Sequence, residues 1–184
     1  MGLVYIASVT ASSSATLAFT SGIDSTYNEY QFQFVNMHPA TNNVNFTFQV
    51  NASDDTGGGF DTSLITSNAF RTYINEGDSG AALGYDSGND QAQGAGYQQI
   101  LSTGTGTDND QSVSGVLTLY DPSSTTYMKH FIAEGNGYDH GDWTVTSHTA
   151  GYINQTLAIP EISFKFSSGN IDTGEIKMYG IAKS

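Results

Sequence analysis

The sequence predicts an all-β chain: an antiparallel β-sandwich, jelly-roll-like, with long Gly/Asp-rich loops. Three observations carry this expectation. Apolar residues recur with period two along most of the 184 residues, no stretch has the 3.6-residue period of an amphipathic helix, and 21 glycines with 3 prolines punctuate the runs. A chain of this length is expected to form one domain over residues 1–184, with a loop-rich excursion at about 75–110.

The elements follow in order. Residues 3–9 and 15–20 read as the first strands. Tyr30, Phe32 and Phe34 then alternate with Gln31, Gln33 and Val35, and Val44, Phe46, Phe48 and Val50 alternate with Asn45, Thr47 and Gln49. Each of these two strands is expected to have one wet face. Between them Pro39 blocks strand continuation, and Asn42 and Asn43 tolerate left-handed geometry. Residues 64–74 are a less regular candidate. From 75 to 110 the chain carries Gly77, Gly80, Gly84, Gly88, Gly94, Gly96, Gly104 and Gly106 among many acids and few large apolar residues, which reads as loops with a helical turn near 89–93. Strands resume at 116–120, 126–133, 144–153, 162–166 and 175–181. Asp121-Pro122-Ser123-Ser124 places proline where its fixed φ suits a type I turn, and Ser168-Gly169-Asn170 and Asp172-Thr173-Gly174 separate the last strands. The expected core comprises Phe32, Phe34, Phe46, Phe48, Leu117, Leu119, Phe164, Phe166 and Ile176.

Charge excludes several functions. Five cations against 18 acids leave a formal net charge of −13, and the first basic residue is Arg71. Direct nucleic-acid binding needs a basic stripe and is not expected. Anionic membranes repel such a chain, and no apolar run approaches the ~20 residues that span a bilayer. With no cysteine, disulfides, thiolate nucleophiles and zinc-thiolate sites are absent too. The N-terminal run has no positive segment, so residue 1 is expected to begin the mature domain.

Catalytic chemistry finds little to use. No Gly-x-Ser-x-Gly elbow exists, and no enzyme activity, cofactor or obligatory metal is expected. His130 and His148 fall in strands and could share a metal only as neighbours with both rings on one face; polar strand-face residues are the favoured reading. Asp86, Asp90, Asp108 and Asp110 are the calcium candidates among the acidic loops, with Asp54, Asp55, Asp139 and Asp142 offering further hard oxygens, but none fits a spaced EF-hand loop. Tyr85, Tyr97, Tyr138 and Trp143 lie in or beside Gly-rich segments, as a saccharide platform would require. For Trp143, opening the strand at 144–153, core or hinge packing is the favoured role over ligand contact.

The run Phe19-Thr20-Ser21-Gly22-Ile23-Asp24-Ser25-Thr26-Tyr27-Asn28-Glu29-Tyr30, then His38-Pro39-Ala40-Thr41, resembles small virion structural proteins of tailed bacteriophages, particularly those of marine bacteria. Further echoes are Ser114-Gly115-Val116-Leu117, Asp121-Pro122-Ser123-Ser124-Thr125-Thr126, Lys129-His130-Phe131, Ala150-Gly151-Tyr152 and the segment 168–180. The resemblance covers nearly the whole chain through turns and strand faces, so it implies a particle component and transfers no catalytic residue. It implies a subunit made in the host cytoplasm and carried in the virion, on head or tail alike; the charge and the turn-rich, cysteine-free composition lead to the expectation of a capsid decoration or head-surface protein. Its expected partners are other copies of itself, for example as a trimer, and major capsid or tail proteins. The alternative is a tail-associated or receptor-binding module recognising host-surface glycans. For assembly, the expected contributors are the uncharged run Leu3, Val4, Tyr5 and Ile6 and the excursion at 75–110, with an interior strand and solvated loops as the competing roles.

Overall fold

A computed structural model describes residues 2–53, 59–60 and 63–181. The strands, in chain order, are β1 (Leu3–Thr10), β2 (Leu17–Phe19), β3 (Glu29–Pro39), β4 (Phe46–Asn51), β5 (Ile65–Asn75), β6 (Ala81–Tyr85) and β7 (Ala92–Gly94). They continue with β8 (Gln98–Gln99), β9 (Val113–Tyr120), β10 (Lys129–Tyr138), β11 (Trp143–Ile153), β12 (Glu161–Phe166) and β13 (Ile171–Ile181). No helix occurs among the described residues. A nine-stranded sheet runs β1-β13-β3-β9-β10-β11-β5-β6, with β7 also on β5, and faces a four-stranded sheet β2-β12-β4-β8. Every pairing is antiparallel. The expected sandwich is therefore present. Its division into nine and four strands differs from the even split of an eight-stranded jelly roll.

Phenylalanines lock the two sheets together because period-two patterning in β3, β4 and β12 delivers their rings to one interior. Phe32 of β3 meets Phe164 of β12 at 5.7 Å between ring centroids, and Phe34 meets Phe46 of β4 at 5.3 Å. Phe48 stands edge-on to Phe131 of β10 at 5.0 Å. All nine residues expected in the core are buried, along with Met37, Ile65, Ile100, Leu101 and Met178.

Turn chemistry explains the connections. Asn43, Asp121 and Gly169 take positive φ values of 59°, 44° and 69°, where short polar residues and glycine pay least. Pro39 ends β3, but that strand runs past the expected boundary, through Asn36 at φ 50°, because irregular pairing with both β9 and β13 keeps Met37 inside.

Two expectations are corrected. The excursion at 75–110 is not loop alone: β6 and β7 extend β5, β8 pairs β4, and no helical turn forms at 89–93. Asn89 is instead buried, donating from Nδ2 to Ser102 Oγ at 2.8 Å. Nor does β4 have a wet face, since all six of its residues are buried. Gln49 donates through Nε2 to the carbonyls of Ser63, Ala95 and Gly96, so the excursion folds over the side expected to face water. The same segment continues across the inner face of β11 and β5, where Ser102 N donates to Ser147 Oγ and Arg71 Nη1 to the Ser102 carbonyl.

Candidate functional site

β1 is an edge strand. Among the described residues it pairs only with β13, and Leu3, Val4 and Tyr5 are 49%, 40% and 57% exposed. Tyr5 leans edge-on against Tyr179 at 5.8 Å on the outer face, and a register shift between Tyr5 and Ala7 leaves Ile6 half-buried against the core. Of the two roles open to this run, an interior strand is not what the fold builds. The eight residues carry no charge and no proline, two of the devices by which natural sheets blunt a free edge; a single bulge is the protection present.

The opposite edge is also apolar. All five residues of β6 are exposed, Leu83 at 70%, and its outward side chains continue those of β5. Phe70 and Ile74 are exposed beside it, and Phe70 stacks on His148 at 4.8 Å. His148 Nδ1 in turn lies 3.2 Å from Glu134. His130 shares that outer face on the neighbouring strand, but its register partner is Tyr152 whereas that of His148 is Glu134. Four positions, about 13 Å, separate the rings, so they hold no common ion.

The four aromatic candidates do not form one platform. Tyr85 is on the outer face of β6, its hydroxyl donating to Asp90, which raises its pKa. Tyr97 lies under Lys165, whose Nζ is 4.1 Å from the ring centroid, on the small sheet. Tyr138 faces outward from β10 and donates to Asp142 at 3.1 Å; desolvation first, then Asp142 and Glu76, push its pKa well above the usual phenol range. Trp143 points to the inner face of β11.

There the structure assembles a site that residue types alone did not disclose. Strand β5 puts Arg71 and Tyr73 on the same face as Trp143 and Val145 of β11 because Tyr73 pairs with Val145. With Thr103 and Asp139 they line a cavity of about 200 Å³. Tyr73 and Trp143 meet edge-to-face at 5.4 Å, and the Arg71 guanidinium lies 5.4 Å from the Tyr73 ring centroid. The indole is slotted between two turns: a methyl on Gly80 would come within 2.9 Å of it and one on Gly141 within 3.3 Å. Asp139 is buried and its carboxylate is used, Oδ1 accepting from Gly141 N at 2.8 Å and Trp143 N at 3.1 Å, and Oδ2 from Thr103 Oγ1 at 2.9 Å.

The calcium candidates separate into two pairs. Asp86 faces Arg71 at 3.5 Å and Asp90 accepts from Tyr85, at the β5–β6 end of the large sheet. Asp108 offers its carbonyl to His38 at 3.2 Å, and Asp110 lines an open polar cavity of about 520 Å³ with His38 and Asp172. Among the described residues no three His, Asp or Glu side chains converge as a metal site; Asp54 and Asp55 lie outside them. No helix among the described residues is long and apolar enough to cross a membrane. The chain matches no protein-family model, no curated protein and no solved structure.

Proposed function

We propose that the protein is a non-enzymatic virion structural subunit of a tailed bacteriophage, a capsid decoration or head-surface protein that assembles with copies of itself. The observation that carries this reading is β1, a free strand edge with exposed Leu3, Val4 and Tyr5 and no charge along its length. Unpaired N–H and C=O groups on such an edge pair readily with another chain. β6 ends the same sheet on the other side and is equally uncharged. Pairing β1 of one copy with β6 of the next is heterologous, and it closes into a ring such as a trimer when the rotation between copies permits. The net charge of −13 suits a surface subunit that must stay soluble before assembly and must not adhere to packaged DNA. The particle context comes from the resemblance of its turn and strand-face motifs, such as residues 19–30 and 168–180, to those of phage virion proteins. The tail-bound glycan-receptor alternative lacks a platform built from all four aromatics: Tyr85 and Tyr138 share the outer face of the large sheet but lie four strand positions apart, Tyr97 is on the small sheet and Trp143 faces inward.

Sedimentation of the purified full chain tests the assembly half of this reading. The chain is expected to associate, and a Leu3→Lys/Tyr5→Lys variant is expected to sediment as a monomer with an unchanged melting curve. A wild-type chain that is monomeric at every concentration would overturn it. Imaging labelled protein on phage particles tests the other half: a capsid-shell distribution supports a head-surface subunit, a tail distribution replaces it with a tail-associated one, and absence from particles overturns the virion reading.

A further inference from the structure

We infer that the cavity between β5 and β11 is a binding pocket for one uncharged pyranose ring, with Trp143, Tyr73 and Arg71 as its recognition residues. This does not rest on the assembly reading, since the pocket opens on the inner face of the sheet and uses no residue of β1 or β6.

Size is the first argument. About 200 Å³ falls below the roughly 300–1,000 Å³ of pockets that enclose drug-sized ligands, and leaves space for a single sugar ring. Shape is the second. Two aromatic rings at 73° are ordinary in a core, but Tyr73 and Trp143 are each only partly buried, so both present ring surface to solvent at one concavity. A pyranose offers flat C–H faces for such surfaces and hydroxyls around its rim. The glycines at 80 and 141 hold the indole in place before any ligand arrives, which lowers the ordering cost of binding.

Hydrogen-bond accounting gives the third argument. The charged acceptor of the wall is committed: the Asp139 carboxylate already takes three donors. The donors are not. The described bonds of Arg71 run through Nη1 alone, to the Ser102 carbonyl and toward Asp86, and the indole Nε1–H has no partner among the described residues. A guanidinium fork and an indole N–H beside aromatic faces call for a ligand that brings oxygen acceptors on an apolar frame. An anion would bring them too, but Asp86 and Asp139 already outnumber Arg71 at the pocket, and the chain carries −13 overall. An uncharged, hydroxyl-bearing ring satisfies the donors without that repulsion.

The chain contains one tryptophan, so its signals report on this pocket alone. The experiment titrates the full chain with glucose, galactose, mannose, N-acetylglucosamine and glucuronate, reading Trp143 emission and the single indole N–H resonance. At least one neutral sugar is expected to give a saturable emission change and to shift the indole resonance, with glucuronate at least about tenfold weaker. Arg71→Met and Tyr73→Ala are expected to weaken binding by about tenfold or more while Tyr73→Phe retains it, because the ring rather than the hydroxyl makes the contact. No saturable response to any neutral sugar overturns the proposal, and so does a preference for glucuronate. The wild-type indole resonance decides the matter even if a variant fails to fold.

Discussion

Replacing Phe46 by alanine removes the ring at the crossing point of both sheets. Phe46 is fully buried and touches three other rings, Phe34 and Phe166 at 5.3 Å and Phe164 at 6.1 Å between centroids. Phe→Ala in a core costs about 3–5 kcal/mol from lost transfer and a residual cavity. The upper half of that range applies here, since the three ring pairs go with it and the neighbours, locked in extended strands of two different sheets, can close little of the void. A loss of about 4–5 kcal/mol lowers the melting temperature of a chain this size by roughly 8–20 °C. Urea unfolding followed by circular dichroism measures it, with the midpoint falling and the slope unchanged. Tyr5→Ala on the exposed edge is the control and should stay within about 0.5 kcal/mol. A Phe46→Ala loss below about 1 kcal/mol would refute the packing argument, because no collapsible site has three rings around a fully buried fourth.

Gly115 pairs with Phe34 and Gly135, and a methyl there would come within 2.8 Å of the Phe34 ring and press into the Glu134 carbonyl; Gly115→Ala should therefore cost stability comparable to overpacking, about 1–3 kcal/mol, in a thermal melt. Lys129 is buried with Nζ donating to the Gln155 carbonyl at 3.1 Å, and desolvation lowers its pKa below the ordinary 10.5. The unfolded chain then holds that proton to higher pH than the folded one, so its contribution to stability rises as pH climbs toward 10.5, and Lys129→Met should abolish that rise in melts scanned against pH. Tyr30 works in the opposite sense: burial raises its pKa above 10.0, the unfolded chain ionises first, and stability falls as pH passes 10.0, a fall that Tyr30→Phe should reduce. Self-association opposed by a charge of −13 should strengthen as salt screens the repulsion, which sedimentation at rising ionic strength measures.

The interior was legible because its determinants are local. Alternation assigns Phe32, Phe34, Phe46 and Phe48 to one face without knowledge of any partner strand, and Asn43, Asp121 and Gly169 sit where turns need positive φ. What was illegible depends on pairing between distant segments. β6 contains no run longer than Ala81-Ala82-Leu83 to mark it, and becomes a strand by docking on β5. Gln49 reads as a surface residue until the carbonyls of Ala95 and Gly96 arrive to cover it. The same reason hid the cavity: Trp143 stood out as an aromatic in a Gly-rich context, but Arg71 and Tyr73 become its neighbours only through the β5–β11 register. Tyr85 and Tyr138 were conspicuous for composition alone, and that signal says nothing about which face of a sheet a side chain joins.

Hydrogen exchange on β1 tests the central claim, that this uncharged edge is built to pair with another copy. Amide exchange over residues 3–10 is followed in the full chain at low and high protein concentration, with the Leu3→Lys/Tyr5→Lys variant alongside. The edge amides of the wild-type chain should exchange freely when dilute and become protected when concentrated, while those of the variant stay unprotected at both. Exchange over residues 3–10 that is indifferent to concentration would contradict the account.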